Sequence, residues 1–300
     1  MAASPPRVSK PVQIEMKNVR LYASDGVVLD IASLRGEMIS RNPSNIPVFD
    51  DPNSYVLRVY TAEIAMDMDS LTHLMNDHLF AAKGSPLSNV TMEIDEGRLK
   101  QKATLHKGVP IPISMKGTPS VTSDGRLRIQ TEKVSALGVP AKSLLETFGL
   151  QLDDVVNLKK LRGIEIDGND VILSPGQIVP PPEIRGQLAS VAIVGNRLVQ
   201  TFRPEGAAAA PLPAPPDQSS RNYIFFSGEV IRFGRLTMNP ARLQLIDADP
   251  KDPFDFFPAK YQVQLWAGYS KNTPDGGLKT YMPDRADLGR VKDLRPAAGK

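Results

Sequence analysis

The chain has 300 residues, 41% of them hydrophobic and 23% charged, enough for one large or two smaller packed domains and too apolar for wholesale disorder. Lys and Arg number 36 against 33 Asp and Glu, a net charge of +3 with both signs interspersed. That balance argues against nucleic acid as a partner and is compatible with weak attraction to anionic lipid head groups. There is no cysteine, so disulfides, thiolate metal sites and thiol nucleophiles are excluded.

Residues 1–11 read as a flexible arm. The start, Met1 to Arg7, lacks the apolar core of a signal peptide, and no later window offers the ~18 consecutive apolar residues of a spanning helix. The expectation is a soluble, cytoplasmic protein; a trimmed mature form of a periplasmic or cell-envelope protein has the same sequence features. Residues 12–16 and 19–22 are short strand candidates, and Asp25-Gly26 is a turn into residues 27–31. Residues 41–54, rich in Asn, Asp, Ser and Pro, form a loop, and residues 55–66 a long strand.

A helix follows. Asp67 or Asp69 can cap it, Leu71, Leu74, Met75 and Leu79 share one face, and Gly84 stops it. Residues 87–202 then alternate strands with a recurring turn: Asp95-Glu96-Gly97-Arg98, Ser123-Asp124-Gly125-Arg126, Asp167-Gly168-Asn169-Asp170 and Val194-Gly195-Asn196-Arg197. Each puts Gly, Asp or Asn where a hairpin needs positive φ. The strands have unequal faces: Val90, Met92 and Ile94 against Thr91, Glu93 and Asp95; Leu99, Ala103 and Leu105 against Arg98, Lys100 and Lys102; Ile111, Ile113 and Met115 against Ser114 and Lys116; Leu127 and Ile129 against Arg126 and Arg128. Such alternation predicts an antiparallel sheet with one apolar and one wet face. A second helix begins near Pro140 and carries Leu144, Leu145 and Phe148.

Residues 204–220 are a Pro/Ala-rich linker or long surface loop. Beyond it, residues 223–226, 230–233, 236–238, 243–246 and 261–266 are strand candidates, and residues 285–300 a frayed polar tail. The organisation expected is therefore a sheet-plus-helix domain over 1–203, a connection over 204–220, a β-rich block over 221–284 packed on or completing the first sheet, and the tail. The fold class is α+β, helices lying on the apolar face of the sheet.

Residues 64–202 resemble the LmeA-like family of bacterial lipid-binding proteins, akin to the tubular lipid-binding (TULIP) superfamily. The features that carry the resemblance are the helix over 70–83, the segment Thr91 to Leu99, Ile113-Ser114-Met115-Lys116-Gly117, Ser123 to Ile129, a Leu-Gly-Val-Pro step at Leu137 leading into a helix, and the closing unit Val156 to Gly168 with its strand over 171–173. The resemblance implies a long, strongly curved antiparallel sheet wrapped around one or two amphipathic helices, with a groove for acyl chains. Family members are exported or lipid-anchored. The family's Leu-Pro step before the closing hairpin is Leu161-Arg162-Gly163 in this chain, and residues 221–284 have no counterpart in it.

Three sets of residues are site candidates. Leu71, Leu74, Met75, Leu79, Ile113, Met115, Leu127, Ile129, Leu144, Leu145 and Phe148 either line an acyl groove or close as an ordinary core. Lys159, Lys160 and Arg162 either meet phosphate head groups at a groove mouth or are a solvated turn. Asp247, Asp249, Asp252 and Asp255 offer hard oxygen ligands to calcium or magnesium, yet lack the Gly and Glu of an EF-hand and are interrupted by two prolines, as in a turn-rich loop. Phe254, Phe256 and Phe257 beside them read as a plug on the sheet edge. His73 and His78 are five apart, off the spacing of two ligands on one helix face. No nucleophile elbow, P-loop or dinucleotide fingerprint occurs, and no catalytic residue and no cofactor are nominated. The expected function is non-enzymatic binding or transport of a lipid or other long apolar molecule, with peripheral contact to an anionic membrane. The alternatives are a structural or assembly module, and behind it a metal-dependent enzyme using the aspartates.

Overall fold

The computed structural model describes residues 10–107, 109–136, 139–140, 161–206 and 211–288. Strands dominate and helices are few. In chain order the strands begin with β1 (Val12–Ser24), β2 (Val27–Ser40), β3 (Tyr55–Asp67), β4 (Leu87–Asp95), β5 (Arg98–Lys107), β6 (Val109–Val121), β7 (Leu127–Ala136) and β8 (Val139–Pro140). Next come β9 (Ile164–Asp167), β10 (Asp170–Leu173), β11 (Glu183–Arg185), β12 (Gln187–Val194) and β13 (Arg197–Arg203). The last group is β14 (Tyr223–Gly228), β15 (Ile231–Phe233), β16 (Leu236–Met238), β17 (Ala241–Asp247), β18 (Phe254–Phe256), β19 (Tyr269–Asn272) and β20 (Leu278–Met282). The helices are α1 (Met68–His73), continued by a π-helical turn over Leu74–Leu79, then α2 (Pro175–Ile178) and α3 (Tyr261–Ala267).

The first sheet runs β12-β13-β3-β2-β1-β14-β17-β20-β19, with β11 beside β3 and β18 beside β1. The second runs β4-β5-β6-β7-β10-β9, with β8 on β7, and β15–β16 is a separate hairpin. Most neighbours are antiparallel; β11, β18 and β20 pair in parallel. All four turns read from residues 87–202 join consecutive antiparallel strands, with φ of +73° at Gly97, +80° at Gly125, +62° at Gly168 and +58° at Gly195. Gly125 is required twice over, since a Cβ there would also meet Gln187 at 2.6 Å.

The second sheet has the two faces that its alternation predicts. Its wet face carries a ladder of cross-strand ion pairs, among them Lys100–Glu93 at 2.9 Å, Lys102–Glu93 at 3.0 Å and Arg98–Glu132 at 2.7 Å. Exposed pairs of this kind are worth only ~0–1 kcal/mol each; their larger effect is to keep this face in water. Leu99, Ala103, Leu105 and Leu127 are buried on the other face, at roughly 1.5–3 kcal/mol for each large side chain.

α1 closes that apolar face. Asp67 caps it, its Oδ1 accepting from the Ser70 N–H at 2.7 Å. Leu71, Leu74, Met75 and Leu79 are all buried, as their spacing predicts. The helix ends at Leu79, short of Gly84, because its last turn widens to a π register in which the Phe80 N–H reaches the Met75 carbonyl at 2.8 Å. Its polar side chains then complete the free edge of β4. The Asn76 amide donates to the Val90 carbonyl at 2.7 Å and accepts from the Val90 N–H at 2.9 Å, while Thr72 Oγ1 accepts from the Met92 N–H at 2.9 Å. Helix side chains thus stand in for the missing neighbouring strand.

Elsewhere long-range pairing changes the expected elements. The two short strands at the start are one strand that passes through Asn18 (φ +50°) and shifts register between Tyr22 and Ser24, and β2 continues nine residues past Ile31, to Ser40. β14 pairs with β1, so residues 223–282 continue the first sheet, and the connection packs on it through Leu212 and through the Asp217 N–H bond to Gln244 Oε1 at 2.7 Å. Phe254 and Phe256 are fully buried as strand β18, and Phe257 nearly so. The tail does not fray at 285: the Arg285 guanidinium lies 4.4 Å from the Tyr22 ring and 4.5 Å from the Phe257 ring, and pairs with Asp25 at 2.9 Å.

The strand expected over 261–266 is the helix α3. Its alternating Tyr261, Val263 and Leu265 suggest a strand, but Gln264 donates to the carbonyls of Asp255 at 2.7 Å and Pro283 at 2.9 Å and accepts from the Phe257 N–H at 3.0 Å. Only a helical turn brings Tyr261 and Gln264, three apart, to the same buried side. The exchange leaves Trp266, the only tryptophan, 88% exposed. Its fluorescence is therefore expected to be that of solvated indole, quenched by acrylamide as strongly in the folded protein as in urea. A blue-shifted, protected emission would return this segment to a packed strand.

Candidate functional site

Between α1 and the two sheets the core does not close completely. One lobe of about 80 Å³ is lined by Leu71, Met75, Leu79 and Phe80 from the helix and by Leu87, Met92, Leu99, Ile113, Met115, Leu127, Ile129, Ile164, Ile166, Val171 and Leu173 from the second sheet. A second lobe, of about 90 Å³, extends between α1, α2 and the first sheet, past Leu29, Ile31, Leu34, Leu57, Ile64, Leu74, Ile178 and Ile184. Leu71, Met75, Leu127, Leu173 and Leu198 line both lobes, so the two adjoin at these five side chains. Each lobe exceeds the space one water needs.

Seven of the eleven candidate groove residues, Leu71, Met75, Leu79, Ile113, Met115, Leu127 and Ile129, line the first lobe, and Leu74 lines the second. Leu144, Leu145 and Phe148, with the second helix that carries them, lie outside the described residues, as do Lys159 and Lys160. Arg162 pairs with Glu183 at 3.3 Å, where Arg41 (2.8 Å) and Arg185 (3.0 Å) also converge. The Arg41 and then the Arg185 hydrogen bonds hold the Glu183 carboxyl down to about 2. On β11 it is Ile184 that lines the second lobe, so Glu183 and Arg185, its neighbours in the strand, point to the opposite face.

Leu173, Leu198 and Ile178 come from segments far from α1 in the chain, and nothing local in the sequence marks them as neighbours of Leu71. Three polar residues of the first lobe were also missed: Gln101, Thr131, and Lys116, which the alternation had put on the wet face. Gln101 and Thr131 sit at apolar-phase positions of β5 and β7 and line the first lobe. The only signal for either was a polar residue breaking the alternation.

The aspartates divide. Asp249 and Asp252 are solvent-accessible, whereas Asp247 and Asp255 are buried and are joined in the core by Asp284, which sequence reading missed. Asp247 accepts from Asn222 Nδ2 at 2.9 Å and from the Asp249 N–H at 2.8 Å; Asp284 Oδ1 accepts from the Asp255 N–H at 2.8 Å. Burial pushes Asp247 up to about 6 and Asp284 up to about 8, and raises Asp255 despite Arg20 at 3.6 Å. Among the described residues no group of three or more His, Asp and Glu is placed to hold a metal ion. His73 pairs with Asp77 at 2.9 Å, and His78 and His106 each lie 2.8 Å from a serine hydroxyl, Ser24 and Ser88. Among the described residues no helix is long and apolar enough to cross a membrane.

No protein-family model, no curated protein and no solved structure matches this chain.

Proposed function

We propose that the protein binds and carries a lipid, or another long apolar ligand, in the interior between α1 and the two sheets, without altering it chemically. The observation that supports this reading is the two-lobed apolar space at the meeting point of α1, the second sheet and the first. A chain laid there gains roughly 0.8 kcal/mol for each methylene removed from water, so an acyl chain is a strongly favoured occupant. The resemblance of residues 64–202 to tubular lipid-binding proteins agrees, and with it the finer reading of the fold as a curved sheet wrapped around α1. The surface excess of Lys and Arg adds a weak peripheral contact with anionic membranes.

The test is organic extraction of the purified protein followed by mass spectrometry, with binding of a fluorescent apolar probe to the extracted protein. A stoichiometric long-chain compound, or saturable probe binding lost in Met75→Trp, which fills the first lobe, is the expected result. An empty protein that binds no apolar probe overturns the reading.

A second reading, a module that assembles with another protein, rests on α3, where Val263, Leu265 and Trp266 are exposed together. Stable co-purification of one partner, lost in Trp266→Ala and independent of lipid, would favour it.

A further inference from the structure

The first lobe carries a polar spot in its wall. On the apolar face of the second sheet, Leu99 of β5, Gly117 of β6 and Thr131 of β7 lie in register as a row, and Gln101 stands opposite Met115 in the next row. Gly117 presents no side chain, so the floor between Gln101 and Thr131 is bare. It must remain so, because a Cβ at Gly117 would come within 2.6 Å of the Gln130 carbonyl oxygen. The two polar residues are two strand spacings and one row apart, roughly 12 Å between backbones, within the reach of one ligand head between their side chains. Thr131 Oγ1 is buried and has no hydrogen-bond partner among the described residues. A buried hydroxyl left unpaired is destabilising, and the side chains around it are mostly Leu, Ile, Met and Val, with Gln101 and Lys116 the other polar residues of the lobe.

The charges around this spot decide what kind of group completes it. Lys116, which also lines the lobe, has its ammonium engaged by Glu96 at 2.6 Å and Asp95 at 3.3 Å. Asp170, beside the lobe-lining Val171 in β10, ties the strand edge from outside the lobe: its Oδ1 accepts from the Thr131 N–H at 3.1 Å, and its other oxygen takes the wet-face Arg128 guanidinium. Among the described residues, an ionised head brought into the lobe would therefore meet one cation, Lys116, already held by two carboxylates. Desolvating such a charge without a partner is far costlier than burying a neutral hydroxyl or carbonyl that gains hydrogen bonds.

We infer that Gln101 and Thr131 form a head-group subsite for an uncharged oxygen, a hydroxyl or ester carbonyl, at the end of a single long apolar chain. The inference rests on the lipid-binding reading above and adds to it the polarity and charge of the bound molecule.

The experiment compares dodecane, dodecan-1-ol, methyl laurate and laurate as competitors that displace N-phenyl-1-naphthylamine from the extracted protein. One hydrogen bond is worth about 1 kcal/mol, or roughly fivefold in affinity. The alcohol and the ester are expected to compete about 5–10-fold better than the alkane, and laurate at pH 8 no better than the alkane. Thr131→Val keeps the shape and removes the hydroxyl. It is expected to erase the advantage of the alcohol while leaving the alkane unchanged, and to raise the melting temperature of the empty protein, since it removes an unpaired buried group. Gln101→Met is expected to act on the ester in the same direction. Equal competition by alkane and alcohol, a preference that survives Thr131→Val, or tight binding of laurate overturns the subsite. Failure of every compound, and of the probe itself, would instead remove the cavity reading on which it rests.

Discussion

Asn76→Ala is expected to destabilise the protein by about 2–4 kcal/mol, as seen in the urea midpoint, although the residue removed is a single polar side chain on a helix surface. Val90 is 1% exposed, and its N–H and carbonyl both find their partner in the Asn76 amide, at 2.9 and 2.7 Å. Alanine supplies neither, so a donor and an acceptor at the edge of the second sheet are buried unpaired, at about 1–3 kcal/mol each, with partial relief if water enters. The same amide also donates to the Thr72 carbonyl at 3.0 Å, so the helix loses an internal tie as well. The expected consequence extends to the cavity: α1 and β4 supply facing walls of the first lobe, and loosening their junction should weaken retention of any apolar probe. Thr72→Val, which removes the acceptor of the Met92 N–H at 2.9 Å and a donor to the Met68 carbonyl at 2.8 Å, should cost less, because only one buried sheet-edge group loses its partner. A loss below about 0.5 kcal/mol for Asn76→Ala, the scatter of ordinary surface substitutions, would mean that the helix does not hold this edge.

Stability should fall as the solution becomes alkaline, opposite to the behaviour of a protein held by salt-bridged carboxylates. Asp284 and Asp247 have folded-state values raised from 3.8 to about 8 and about 6. A group raised in this way favours the folded state fully only while protonated in both states. Its contribution is lost as pH rises from 4 through 6 for Asp247 and through 8 for Asp284. At about 1.4 kcal/mol per unit, the loss across that window is on the order of several kcal/mol. Glu183 acts in the other direction: held down to about 2, it contributes above its ordinary value of 4.5 and loses that contribution as pH falls toward 2. The melting temperature should therefore peak in mildly acidic solution and decline toward pH 9. Asp284→Asn keeps an oxygen for the Asp255 N–H and cannot ionise, so it should flatten the alkaline limb, gaining more than about 2 kcal/mol at pH 9 and little at pH 4. An unchanged pH profile in this variant would show that Asp284 is hydrated or paired when charged.

Much of the second sheet, and the β12–β13 hairpin of the first, could be read locally. Turn chemistry at Gly97, Gly125, Gly168 and Gly195 and the two-residue period of the strands act between near neighbours in the chain, so their outcome is visible in the order of residues. The same holds for the apolar face of α1, whose spacing marks Leu71, Leu74, Met75 and Leu79, and for its cap at Asp67. The first sheet depends on choices of another kind. Whether β1 takes β14 as its neighbour and whether Phe254 and Phe256 run parallel beside it are settled between residues more than two hundred positions apart, and whether residues 261–267 coil or extend by partners outside that segment. At α3 the decisive term was three hydrogen bonds to one glutamine, which outweighed a strand-like period.

The candidate site divides the same way. Its helix side and half of its sheet side were marked by periodicity. Leu173, Leu198, Gln101 and Thr131 became wall residues only when β7, β10 and β13 were brought around α1, and Asp284 joined Asp247 and Asp255 only through the pairing that returns β20 to the first sheet. The order of residues by itself determined which surfaces of the chain are apolar, because that property belongs to each side chain and its immediate neighbours. Only the tertiary structure decided which of those surfaces meet, where a gap remains between them and which polar atoms face into it, because packing is a property of segments that the sequence keeps apart.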